Sequence, residues 1–152
     1  MLNAGGRPVE SLPVAEARKV LADVQAAVEV DLSGIDERER EIVADGHALT
    51  LHLVRPHGSR GRPPYFVFIH GGGWVLGDYP THRRLVRDLV VESEVAAVFV
   101  DYTPSPEAKY PQAVDEIYAA VKWVAENDAE LDLDRRRMAL VGNSAGGNMA
   151  LA

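Results

Sequence analysis

Two glycine-rich stretches carry the residues best suited to covalent chemistry. Gly142-Asn143-Ser144-Ala145-Gly146 follows the apolar run Met138-Ala139-Leu140-Val141. Glycines two positions to either side of a serine suit a strained strand-to-helix elbow, where side chains would collide with the neighbouring strand and helix and the hydroxyl stands free as a nucleophile. The competing reading makes Ser144 an ordinary helix cap, a frequent use of serine. The second stretch, His70-Gly71-Gly72-Gly73-Trp74, closes the run Tyr65-Phe66-Val67-Phe68-Ile69. Three consecutive glycines are entropically costly, so such a loop needs positive φ or an approach too close for a Cβ. A loop that converges backbone N–H groups on a developing oxyanion has that need. Nucleotide binding fits less well. Gly71 and Gly73 form a G-x-G, but Val75 and Leu76 occupy the place of the next glycine, and no Lys-Ser or Lys-Thr follows.

A serine nucleophile requires a base, and the base an orienting acid. Five histidines are present. His47 and His52 fall on a hairpin and His57 in the loop after it, and all three read as solvated. His70 belongs to the glycine loop, and His82 stands near the start of the following helix, poorly placed to reach Ser144. Asp101 ends a strand and is the tempting acid, yet no visible histidine answers it. Neither partner is found after Ser144 within residues 145–152.

The elements that must position these residues follow from periodicity. Val14, Ala17, Leu21, Val24 and Val28 recur at helical spacing and predict a helix from about Pro13 to Val30. The charged segment Asp31–Glu41 reads as a linker or solvated turn, with a boundary near residue 40. Residues 41–44 and 47–53, around Asp45-Gly46, predict an antiparallel hairpin. Residues 65–69, 95–100 and 138–141 are apolar without alternation, as in strands covered on both faces. Between them, Leu85, Val86, Leu89 and Val90 predict one helix, and Val114, Ile117, Val121 and Val124 another that starts after Pro111. Strand and helix in alternation imply a parallel sheet with right-handed crossovers.

Composition narrows the function. The 152 residues carry 23 acidic and 16 basic side chains, a formal charge of −7 that disfavours binding to nucleic acid or anionic lipid. Arg135-Arg136-Arg137 reads as a solvated turn in preference to a phosphate-binding patch. With no cysteine, disulfides, thiolate metal sites and a cysteine nucleophile are excluded. No apolar stretch approaches the roughly 18 residues of a membrane span, and Met1–Gly6 has no leader-like pattern. A cytoplasmic protein is expected.

His70-Gly71-Gly72-Gly73-Trp74, Asp101-Tyr102-Thr103-Pro104-Ser105-Pro106-Glu107 and Gly142-Asn143-Ser144-Ala145-Gly146-Gly147, with 74 positions from His70 to Ser144, resemble the successive signatures of the hormone-sensitive-lipase-like branch of the α/β-hydrolase fold. That group contains carboxylesterases, lipases and acetyl hydrolases, and the similarity runs from about residue 13 to the end. The resemblance implies an α/β-hydrolase fold in part: an N-terminal hairpin, then parallel strands with crossover helices, ending just after the nucleophile elbow. Residues 1–40 would form a lid or cap helix and linker, and residues 41–152 the N-terminal part of the catalytic domain. Ser144 would be the nucleophile, the amides of Gly72, Gly73 and Ala145 the oxyanion hole, and His70 a loop-holding residue bonded to backbone. Asn143 replaces a commoner aspartate, and Thr103-Pro104-Ser105 a commoner Arg-Leu-Ala.

The expected function is hydrolysis of small carboxylic esters through an acyl-enzyme, with no metal and no organic cofactor, since attacking group and stabilising dipoles are all protein. In that fold the acid and histidine follow the serine in chain order. The chain is therefore expected to be inactive by itself, as the N-terminal portion of a larger hydrolase. Two alternatives stand beside this one. The first is a non-catalytic product that associates through the unpaired edge of Met138–Val141, and the second is an aryl formamidase of the same fold.

Overall fold

The run Tyr65–Ile69 offers no polar face, and all five of its residues are buried, which makes it the middle of a sheet and not an edge. The computed structural model describes residues 7–152. Five strands, β1 (Ile35–Ala44), β2 (His47–Pro56), β3 (Tyr65–Ile69), β4 (Ala96–Asp101) and β5 (Met138–Gly142), form one mixed sheet. Its order is β1-β2-β4-β3-β5. β1 and β2 are antiparallel, β2 and β4 are antiparallel, and β3 lies parallel to both β4 and β5.

Four α-helices complete the fold among the described residues: α1 (Val14–Ala26), α2 (Tyr79–Ser93), α3 (Gln112–Glu126) and α4 (Ala145–Leu151). From β3 the chain crosses by α2 to β4, then returns by α3 past β3 to β5. Two crossovers of one hand running in opposite directions must lie on opposite faces of the sheet. The core divides accordingly. Phe66, Phe68, Ala97 and Phe99 pack with Tyr79, Val86 and Val90 of α2. Val67, Ile69, Val98 and Val100 pack with Ile117, Ala120 and Val124 of α3 and Met149 of α4. The expected apolar face of α2 is narrower than its sequence suggests, since Leu85 is 40% exposed.

The hairpin forms about its expected turn. Asp45 and Gly46 both have positive φ, 47° and 87°, the twist that a two-residue connection between right-twisted strands requires. The charged segment expected to be a linker is strand instead: β1 begins at Ile35 and crosses residue 40 without a break, paired with β2 along its length. Its charges alternate between the two faces and find partners far along the chain. Glu37 meets Arg83 and the Tyr79 hydroxyl on the α2 side. Arg38 donates to the Leu131 carbonyl at 3.0 Å, and Arg40 pairs with Glu130. Charges on an edge strand also oppose pairing with other chains.

Helix α1 stops at Ala26, short of the expected Val30. Only Ala17 of its stripe is buried, while Val24 and Val28 are 37% and 52% exposed. Among the described residues no helix is long and apolar enough to cross a membrane.

Candidate active site

Strand register brings the two glycine stretches together. Ile69 of β3 stands opposite Gly142 of β5, so the residues leaving the two strands, His70-Gly71 and Asn143-Ser144, emerge side by side at one sheet edge. Ser144 lies between β5 and α4 at φ 52°, ψ −121°, a conformation that costs a non-glycine residue on the order of 1–3 kcal/mol and persists only where its surroundings enforce it. The enforcement is steric. A Cβ on Gly146 would stand 2.0 Å from the Ile69 carbonyl oxygen, and one on Gly142 would lie 2.5 Å from the Gly146 carbonyl. Strand and helix therefore approach through backbone alone. Ser144 is exposed, and its side chain makes no capping hydrogen bond to α4, so the geometry does not support the helix-cap reading.

Gly71 is the contact between the two corners. A Cβ there would be 2.5 Å from the Asn143 carbonyl oxygen and 3.1 Å from the Ser144 Cβ. The Gly71 N–H donates to Asn143 Oδ1 at 2.9 Å, a bond needing only a carbonyl-type acceptor, which a carboxamide supplies as well as a carboxylate. Asn143 is thus a tie between nucleophile and glycine loop, a role that its sequence position alone did not disclose. Beyond Gly71 the loop turns through φ 124° at Gly72 and 62° at both Gly73 and Trp74. The Gly72 carbonyl accepts from Val75 and Leu76 N–H at 3.2 and 2.9 Å, closing the turn. Ala145 follows Ser144 as the first residue of α4 and is buried.

His70 holds this loop as expected. It is 1% exposed, and its ring is stacked between Tyr102 and Phe99, with centroids 4.2 and 5.5 Å away. Its Nδ1 pairs with the Gly71 carbonyl at 2.8 Å, while the Tyr102 hydroxyl donates to the His70 carbonyl at 2.9 Å. Burial pushes the imidazole below its ordinary range, and the bond to Gly71 offsets only part of that. Burial likewise lowers His82, whose Nδ1 lies 3.2 Å from the Asp78 carbonyl at the start of α2.

These two rings, His70 buried and His82 half-buried, make stability depend on pH. Their folded-state values lie below the unfolded value of 6.5, so the stability they contribute is present above that value and is lost as pH falls through the depressed folded ones. The urea midpoint is expected to drop between about pH 7.5 and about pH 5, and His70→Asn to flatten part of the slope. A midpoint unchanged across that range would contradict a folded state that favours the neutral form of these rings.

No described histidine is placed as a base. His57 is solvated and pairs with Asp36 at 2.8 Å, as expected of a surface residue. His47 and His52 correct the expectation. His47 is half-buried, 4.0 Å from Glu116, and the His52 side chain is 14% exposed, stacked on Tyr79 at 4.0 Å. The strand alternation that suggested solvent exposure in fact turns His52 onto the α2 face. Asp101 does end β4, but its carboxylate meets His52 Nε2 at 3.3 Å, and the Ser144 hydroxyl takes no part in that pair. Among the described residues no three His, Asp or Glu side chains gather as metal ligands would. Arg135–Arg137 form a solvated turn, with Arg137 paired to Asp134 at 2.8 Å.

The profile of the alpha/beta hydrolase fold family matches residues 66–152. Carboxylesterase NlhH of Mycobacterium tuberculosis is 41% identical over 113 residues, covering 74% of this chain and 35% of that protein. The crystal structure of a thermostable esterase from Pseudomonas putida ECU1011 superposes with a TM-score of 0.96 at 55% identity, covering 99% of this chain and 47% of that one. A hyperthermophilic esterase from the archaeon Pyrobaculum calidifontis gives 0.86 at 33% identity, covering 98% and 48%. The chain spans between a third and a half of the length of these relatives.

Proposed function

The chain belongs to the α/β-hydrolase family, in its carboxylesterase-like branch, and from that premise we propose that it supplies the nucleophile half of a serine esterase active site. Ser144 attacks the carbonyl of a small uncharged carboxylic ester. The amides of Gly72, Gly73 and Ala145 receive the negative charge that develops on its oxygen. A histidine and an acid from sequence following residue 152 supply the base, in the chain order this fold uses. Without them the chain is expected to be inactive, because no described histidine is placed to accept the Ser144 proton.

One observation carries this reading. The elbow holds Ser144 at positive φ against Gly71, whose missing side chain lets the glycine loop meet the nucleophile. Ester and formamide cleavage both fit that arrangement, so the bond is decided by assay. The chain carried on into its native downstream sequence is expected to hydrolyse p-nitrophenyl acetate and to leave an aryl formamide uncleaved. The reverse preference would move it to the formamidase reading, and no turnover of either would reject both.

A second reading rests on β5, which among the described residues pairs with β3 alone and leaves Leu140 42% exposed. A free apolar edge invites association with another chain. Sedimentation of residues 1–152 is expected to show self-association that Leu140→Lys weakens; a monomer at all concentrations would remove this reading and leave the esterase assignment untouched.

A further inference from the structure

Arg18 leaves α1 and reaches two loops far along the chain. Its Nε donates to the Val75 carbonyl at 2.8 Å and its Nη2 to the Ser105 carbonyl at 3.0 Å. Nη1 and Nη2 also grip both oxygens of Glu107, at 2.8 and 2.7 Å. Val75 lies two residues beyond Gly73, in the turn closed on the Gly72 carbonyl. Ser105 N–H donates to the Trp74 carbonyl at 2.7 Å, so the two loops are joined to each other as well as to Arg18. Behind them Thr103 N–H donates at 2.7 Å to Glu116, a carboxylate 3% exposed and tied to Gln112 at 2.8 Å.

The chemistry of the group suits a clasp. A planar guanidinium can meet a carboxylate with two parallel bonds and still direct further N–H groups at carbonyls, whereas an ammonium is a single point donor. Apolar packing gives α1 little hold, with Ala17 its one buried residue. The polar contacts of the neighbouring Arg18 are therefore a large share of what seats this helix on the body.

We propose that Arg18 is a positioning residue for the glycine loop: it locks α1, Val75 and the Ser105–Glu107 turn into one unit and so fixes where the Gly72 and Gly73 amides point. This rests on the reading of that loop as the oxyanion hole. The seating of α1 and the rate of turnover are coupled through a single side chain.

Two measurements test it. In the 152-residue chain, Arg18→Ala is expected to speed hydrogen exchange at the Val75, Leu76 and Ser105 amides by about tenfold or more, with β3 and β4 unchanged. Arg18→Lys, which keeps the charge and the stem but not the fork, is expected to do the same at Val75 and Ser105. In the chain with its native downstream sequence, both variants are expected to lower kcat by about 10- to 100-fold with little change in KM, as misplacement of catalytic dipoles does. Adding Glu107→Ala to Arg18→Ala is expected to cost little more, since both remove the same contact.

Faster exchange confined to α1 would reduce Arg18 to a tether for the helix and overturn the proposal. So would a loosened loop with kcat unchanged in an active enzyme. Should the parent chain prove not to hydrolyse esters, the oxyanion reading fails, while the exchange data still report whether Arg18 fixes the loop.

Discussion

Replacing Ser144 with alanine in the chain carried on into its native downstream sequence is expected to lower kcat on p-nitrophenyl acetate by on the order of 10⁶-fold, the loss seen when a serine hydrolase is deprived of its nucleophile. The fold should be undisturbed. Ser144 is exposed and its hydroxyl makes no capping bond, so alanine opens no cavity and leaves no partner unsatisfied. Alanine inherits the same positive φ and hence the same strain, so the urea midpoint should correspond to a stability within about 0.5 kcal/mol of the parent. A helix-capping serine predicts the opposite pattern, with about 1 kcal/mol lost and activity kept. Measuring turnover and urea unfolding on one preparation separates the two roles, and an alanine variant that still turns over ester would end the assignment of Ser144.

The sequence made the chemistry of these corners more legible than their support. Gly142, Ser144 and Gly146 could be assigned to an elbow because the spacing of the glycines is itself a steric statement, and the distances that Cβ atoms would have to occupy agree with it. The unalternating runs that became β3 and β4 were legible because strands covered on both faces admit no polar positions, whereas the similar run 138–141, expected to be covered as well, became the edge strand β5 with Ala139 and Leu140 exposed. The charged strand β1 was not legible. Glu37, Arg38 and Arg40 look like a solvated linker until α2 and residues 130–131, distant in sequence, are seen to answer them. Arg18 and Asn143 were hidden for the same reason. Each acts through a partner more than 50 positions away, Val75 and Gly71 respectively, and neither local periodicity nor composition carries that information.

Gly72→Ala is the second change expected to have a large effect, and it tests the glycine loop independently of the nucleophile. A Cβ at Gly72 would stand 1.9 Å from the Leu76 carbonyl oxygen and 2.6 Å from its carbon, backbone atoms that have no rotamer by which to retreat. The φ of 124° is also outside the left-handed well that other residues occasionally visit. Alanine must therefore open the turn in which Gly72 accepts from Val75 and Leu76, and the amides of Gly72 and Gly73 move with it. Loss of one oxyanion donor costs about 10²- to 10³-fold in kcat, and displacement of the pair should reach at least that, together with about 1–3 kcal/mol of stability. Gly73→Ala is the matched control. Nothing lies within 4 Å of a Cβ there, and its φ of 62° is one that alanine can adopt for about 1–2 kcal/mol. Because Gly73→Ala retains its N–H and its turn, it should lose far less kcat than Gly72→Ala for a comparable loss of stability. Equal losses of kcat in the two variants would mean that open space beside the nucleophile, and not the direction of the loop amides, is what the three glycines provide.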